Sequence, residues 1–582
     1  MFKTILNKKK LFSLFLIIFS FQFLGCTPNK KIESKQTLNL ALSTEIPNLD
    51  PQIAYDEVSW DVIRQVYEPL YQFHYLKRPY EIEPLLADGL PLWSNDLKQV
   101  TIKIKKNIFY QTNPLLGESK RTVRANDFIT AIKRIAFAPT ASPGFWLFEG
   151  KILGIDDWKK KVGNDLALML KTPVDGLEAT DDQTLIIKLT TPYPQLIYAL
   201  TLPFTVPMPE EIVAKTNNQI GNIMLGTGPF KVTHFVPGMG LTLLKNELYR
   251  EDYYPETGQE SDISKGNLKD AKKKIPFLDE IHFTVIKESQ TRWLKILAKE
   301  LDLGGVPKDQ FKAAFNEKLE ISNELKAKNL DSTFVPTLTL WWLSFNMKNP
   351  LLGKNLKLRQ AIAHAIDFDQ YRLLFTNNLA LPMDSLIPST LPSYLKKDLP
   401  FSYNIEKAKT LLKESGFENG KGLPEITFAI RNADSVARQQ AEFYQLQLAK
   451  IGIKIKPITL PFAQFLKDLN KGNFQIFVDG WAFDYPDATN ILQMLYSKNI
   501  SPGANHSNYS NKEFDQLFNE LEKEIDPTKQ QKILSNIQDI IWNELPWIPI
   551  MWSRGMTVFD KKIKNFKPDP LTANNLKYIR ID

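Results

Sequence analysis

Residues 474–490 read FQIFVDGWAFDYPDATN. Phe474, Ile476 and Val478 alternate with Gln475 and Asp479 at a period of two, and Phe477 makes the other face apolar as well, which predicts a buried strand. Gly480 is expected to break it. Directly afterwards, Trp481, Phe483 and Tyr485 crowd around two carboxylates, Asp484 and Asp487, before Pro486 and Asn490 lead towards a helix. Aromatic rings and acids packed this densely at a strand end suit a ligand site better than a core.

The flanking segments alternate in type. A strand over 425–430, a helix over 435–450, a strand over 451–458 and a helix over 462–470 precede the 474–478 strand. Such alternation predicts parallel βαβ units, with ligands held beyond the carboxyl ends of the strands, where the 480–487 loop lies. Upstream, LTLWWLSFN over 338–346 is a further strand whose adjacent Trp341 and Trp342 must point to opposite faces. One faces the core and one a cleft, and the order of residues does not say which. Asn355 opens a helix, and Asn404 caps another that ends at Gly416.

The first half is α/β as well. Strands are expected over 37–43, 97–109, 183–189 and 231–235, with helices over 56–73 and from a cap at Asn126 or Asp127. GTGPF at 226–230 is a tight turn: no GK[ST] follows and the third glycine of a dinucleotide fingerprint is absent. The polar stretch 251–276 reads as a surface insertion.

The 582 residues are 43% hydrophobic and 24% charged, enough for several domains with ample core. The formal charge of +8 is no nucleic-acid signature, because Lys3, Lys8, Lys9 and Lys10 lie in one N-terminal segment and the remaining excess is dispersed. Those lysines precede an apolar run over 11–24, too short to span a membrane and suited to a signal peptide. Cys26, the sole cysteine, follows it, which excludes intramolecular disulfides.

These features together resemble extracellular solute-binding protein family 5, the oligopeptide- and dipeptide-binding proteins of ABC importers. The likeness runs in order through Leu49-Asp50-Pro51, Tyr67-Glu68-Pro69-Leu70, 83–87, Gly226-Thr227-Gly228-Pro229-Phe230, 343–346, 358–362, 365–367, Gly480-Trp481 and Asp484-Tyr485-Pro486-Asp487. It implies a large, three-domain, two-lobed α/β periplasmic-binding-protein fold with a hinge between lobes. Carried over, 1–25 is a lipoprotein signal peptide, and 26–36 is a tether beginning at a lipidated Cys26. Lobe I is 37–57, 180–337 and 551–582, an extra domain is 58–179, and lobe II is 338–550. The implied function is capture of oligopeptides in an interlobe cleft and delivery to a permease and ATPase complex. The alternatives are another solute on the same fold (a nickel chelate, haem, opine or oligosaccharide) or a peptide signal. The protein is expected to be a monomer outside the cytoplasm, held to a membrane by lipid.

By the same resemblance, Asp484 meets the ligand's ammonium, and Gly480, Trp481 and Ala482 offer a backbone edge with Trp481 as an aromatic wall. Trp342 and Tyr485 complete the ligand-binding set, while Asp487 caps the next helix. Two positions where relatives carry basic residues hold Leu469 and Val478 here, with Arg431 and Arg438 as possible substitutes. No enzyme signature appears: His74, His234, His282, His364 and His506 lack metal-ligand spacing, no G-x-S-x-G is present, and neither cofactor nor metal is implied.

Overall fold

The computed structural model describes residues 35–117, 120–221, 223–572 and 575–582; the expected signal peptide, Cys26 and most of the tether lie outside the described residues. Period-two runs supply three main sheets. Thr37–Leu42, with every second side chain buried, lies parallel to Glu280–Val285, which is followed in order by Gly240–Lys245 and Phe230–Val236. A four-stranded antiparallel sheet joins Leu92–Trp93, Gln99–Lys103, Thr184–Lys188 and Leu177–Asp181. Because Thr184–Lys188 pairs with Gln99–Lys103, the boundary expected at residue 180 would cut this sheet; its strands belong together.

The third sheet has six strands in the order Leu303–Gly304, Trp547–Asp560, Leu330–Phe345, Ile476–Ala482, Ile426–Arg431, Ile455–Leu460. Its last three strands run parallel as expected, but Leu330–Phe345 is antiparallel to both its neighbours, so the sheet is mixed. Leu330–Phe345 and Trp547–Asp560 are long strands that pair along their lengths, with the register slipping between Pro336 and Leu340. One end of the pair adjoins a core that includes Ile296, Phe311 and Val558, and the other a core of Leu343, Ile362, Leu412 and Ile548.

Helix ends are set by side-chain caps. Asp56 accepts the Ser59 N–H at 2.9 Å to start the helix Glu57–Val66. In the helix Ala125–Ala136 the expected cap, Asp127, sits three residues inside instead and accepts the Arg124 N–H at 2.9 Å. That helix carries Arg134, fully buried, whose guanidinium donates to both oxygens of Asp50 (3.1 and 2.7 Å), to Asn218 at 2.7 Å and to Gln52. The 251–276 stretch is no loose insertion: Tyr254 and Ile275 are buried beside Tyr75, Leu76 and Tyr578. Gly226 of the tight turn packs on the Val66 carbonyl, where a Cβ would fall 1.8 Å from the oxygen.

Candidate functional site

A cavity of about 760 Å³ separates two walls. One wall is built from the Glu57–Val66 helix with its preceding turn, from 287–292 and from Asp569, Pro570, Thr572 and Asn575. The other comes from the carboxyl ends of Ile426–Arg431 and Ile476–Ala482, with 461–466 and His506. Its size falls within the range of about 300–1,000 Å³ usual for small-ligand sites.

The strand Ile476–Ala482 continues through Gly480. Gly480 pairs with Trp341, and a Cβ there would fall 2.6 Å from the Trp341 ring; glycine lets the indole lie flat on the strand rather than ending it. Arg431 covers the same ring at 4.3 Å, and Trp341 Nε1 donates to Ser553 Oγ at 2.9 Å. The ring therefore has little freedom to yield. Gly480→Ala should cost about 1–3 kcal/mol through overpacking. Urea unfolding and near-UV circular dichroism would show it, and an unchanged midpoint would count against this packing.

Trp341 faces the cavity, which settles the choice between the two tryptophans. Trp342, expected at the ligand, is 1% exposed and stacks on Trp547 at 4.3 Å, so it is core. Tyr485 is corrected in the same way. It is 1% exposed and stacks on Tyr198 with ring centroids 5.5 Å apart and planes 4° from parallel, outside the cavity lining. Its ring lies within reach of the charge of Glu522, which pairs with Lys151 at 2.8 Å. Leu469 and Val478 are buried, Arg438 is exposed, and only Arg431 reaches the cavity.

Gly480, Trp481, Ala482 and Asp484 all line the cavity. Ile476–Ala482 pairs with Leu330–Phe345 along its whole length, but with Ile426–Arg431 only at Ile476 and Phe477. The Phe483 N–H reaches Leu338 O at 2.9 Å, so by alternation Gly480 and Ala482 direct their backbone groups to the edge that has no strand partner among the described residues. The Gly480 N–H is already taken by Asp479 Oδ1 at 2.9 Å. The Gly480 carbonyl and both Ala482 groups remain on the open edge.

Asp484 is buried, with Oδ2 accepting from Tyr55 Oη at 2.8 Å and from Asn490 Nδ2 at 3.0 Å. Asn490 is the local organiser: its Oδ1 also accepts the Asp484 N–H at 3.0 Å and Trp481 Nε1 at 2.9 Å. Oδ1 of Asp484 takes no hydrogen bond from a described residue. Burial raises the Asp484 carboxyl to about 6, against the pull of the Asn490 and Tyr55 hydrogen bonds and the Arg64 charge. Asp487, expected to cap the next helix, precedes the N-cap position, which is Ala488; its Oδ1 accepts the Thr489 N–H at 2.8 Å and the Thr489 hydroxyl at 2.6 Å.

Several lining residues were not singled out in the sequence. Tyr55 bonds Asp484 across 429 residues and meets the Trp481 ring edge-on at 5.3 Å, a pairing that has no local signal. Glu57, Asp61 and Arg64 share one face of the 57–66 helix at i, i+4 and i+7, and line the cavity. His506 lies 3.0 Å from Asp479.

Known proteins show the same architecture. The chain is similar to the Oligopeptide-binding protein OppA of Bacillus subtilis, 25% identical over 545 residues that cover 92% of this chain and 91% of that one. It is also similar to the Heme-binding protein A of Haemophilus influenzae, 24% identical over 530 residues, 89% of this chain and 87% of that one. Among solved structures, the periplasmic binding protein DppA of Helicobacter pylori in complex with peptide STSA superposes with a TM-score of 0.76. That match is 23% identical and covers 94% of this chain and 98% of that one. The fold is thus the two-lobed periplasmic-binding-protein type, with the cavity between its walls. A family profile, bacterial extracellular solute-binding proteins, family 5 Middle, matches residues 81–503, and the chain belongs to that family.

Proposed function

We propose that the protein captures short peptides in this cleft, outside the cytoplasm, and hands them to an ABC permease and ATPase complex. The observation that carries the reading is the open strand edge at Gly480 and Ala482 beside the enclosed Asp484 carboxylate. An extended peptide adds to such an edge through main-chain hydrogen bonds, which every sequence can make. Its α-ammonium meets the open Oδ1 of Asp484, a charge-assisted contact in a site shielded from bulk water. Trp481 walls the ligand, and Arg431, which sits over the Trp341 ring and pairs with no carboxylate among the described residues, meets an anionic group such as the peptide carboxylate. The relatives' names support peptide as the solute.

The walls close by bending where the register of the two long strands slips, between Pro336 and Leu340. Tyr55–Asp484 and Tyr198–Tyr485 are contacts of the closed form.

Native mass spectrometry of protein purified without denaturant tests the solute: co-purified peptides support this reading, whereas haem or a sugar in their place overturns it. Recovery of cleaved peptide after incubation would contradict simple binding.

The anchor belongs to the same proposal. Cys26 carries the lipid, with 1–25 removed and 26–36 as tether, and the protein acts as a monomer. Cys26→Ser should move it from the membrane pellet to the soluble fraction; retention in the pellet would refute lipidation.

A further inference from the structure

The charged side chains around the cavity divide into those the protein already matches and those left over. Asp56 and Asp434 cap helices. Asp479 holds His506, and Asp569 holds Arg78 at 2.7 Å and Tyr80 at 2.9 Å. Lys287 pairs with Glu45 at 2.6 Å. Arg64 donates to Pro570 O at 3.2 Å, and Arg292 donates to the carbonyls of Ile286 and Lys287. Glu57 and Asp61, one turn apart on the wall opposite the Gly480–Ala482 edge, form no hydrogen bond or ion pair through their carboxylates with any described residue, and neither does the exposed Glu288. Arg431 on the other wall acts on Glu57 through its charge without pairing with it, and the peptide reading assigns that guanidinium to an anionic group of the ligand.

Asp61 keeps accessible surface because it projects into the cavity, yet the protein around it depletes its hydration. Its carboxyl is pushed up to about 7, mainly by burial, with Glu57 and Asp56 adding to the rise and Arg64 opposing it. Arg64, although on the same helix face, does not come within ion-pair distance of it. A lining carboxylate left unmatched by its own protein is a demand for a cation from the ligand.

No group of three or more His, Cys, Asp or Glu among the described residues is arranged to hold a metal ion, so the cation is one that the ligand carries. It is not the α-ammonium, which the reading above assigns to Asp484 on the other wall. We infer that Glu57 and Asp61 form a subsite for a cationic side chain of the bound peptide, lysine or arginine, and so select basic peptides. This rests on the peptide reading and names the substrate class within it. A long side chain leaving the strand edge crosses the cavity to the helix, where its charge meets Asp61 first. A peptide lacking that charge leaves the carboxylate unmatched in a closed site, so discrimination comes from the penalty as well as the contact.

Calorimetric titration with Ala-Ala-Ala, Lys-Ala-Ala, Ala-Lys-Ala and Ala-Ala-Lys at pH 8, where Asp61 is ionised, tests this. At least one lysine peptide is expected to bind the wild-type protein about tenfold or more tighter than Ala-Ala-Ala. Asp61→Asn should abolish most of that advantage, Glu57→Gln should reduce it, and the charge-conserving Asp61→Glu should keep part of it. Equal binding of all four peptides, or a lysine preference undiminished in Asp61→Asn, overturns the subsite and leaves peptide capture standing. Failure of the wild type to bind any of the four overturns both. Should Asp61→Asn bind nothing, Asp61→Glu decides: a retained lysine preference supports the subsite, and a lost one overturns it.

Discussion

Replacing Asp484 by alanine is expected to weaken binding of a peptide with a free N-terminus by on the order of 100-fold, since leaving one partner of an enclosed ion pair unmatched costs about 3 kcal/mol or more. The N-acetylated form of the same peptide, which presents no ammonium, should lose far less. Equal losses for both would show that Asp484 does not read the ammonium, and that it matters only as the acceptor for Tyr55 and Asn490. The same carboxyl predicts a pH profile. Burial places it near 6, while an ammonium ligand favours its ionised form. Affinity for a neutral-side-chain peptide should therefore be greatest near pH 7, fall by up to tenfold per unit as pH drops below about 6, with proton release on binding, and fall again above about 8 as the peptide's own α-amino group loses its proton. The ligand-free protein follows the opposite sign. The native carboxyl holds its proton more tightly than the unfolded one, near 3.9, so this group's contribution to stability declines as pH rises from about 4 to 6. Affinity that stays flat from pH 5 to 8 would contradict this assignment.

Arg134→Ala should be the largest single loss of stability, about 3–5 kcal/mol, because it leaves the Asp50 carboxylate buried beside Gln52 without its cation. Asp50 stands at the turn 50–53 that leads into Tyr55 and the 57–66 helix, so one wall of the cleft depends on this network. Removing both charges together, as in Asp50→Asn with Arg134→Met, should cost less than Arg134→Ala alone, since no ion is then left in the interior. Urea midpoints of the three proteins decide it. A double variant less stable than the single one would mean that the pair contributes through attraction rather than by avoiding a stranded charge.

Sequence order went far on its own where chemistry is local. Period-two and helical patterning placed most strands and helices, because a buried face must be apolar at the period of its element. The stretch from Trp481 to Asp484 stood out because rings and carboxylates beyond a strand end have no packing reason to cluster. Composition and motif spacing bounded what the chain is built to do. Alternation, however, separates two faces without ranking them. Trp341 and Trp342 became cleft and core only when Trp547, from a distant strand, covered Trp342. Tyr485 looked like part of the site until Tyr198 stacked on it. Gly480 resembled a breaker because its lack of a side chain carries no mark of the Trp341 ring that fills the space. Glu57 and Asp61 carry no local mark that sets them apart from a solvated helix face, and the Tyr55 hydroxyl on Asp484 joins residues 429 positions apart. Sequence fixes what a side chain can do within its own element; the second wall of the cleft decides whether it meets water, core or ligand, and that wall exists only once the chain has folded.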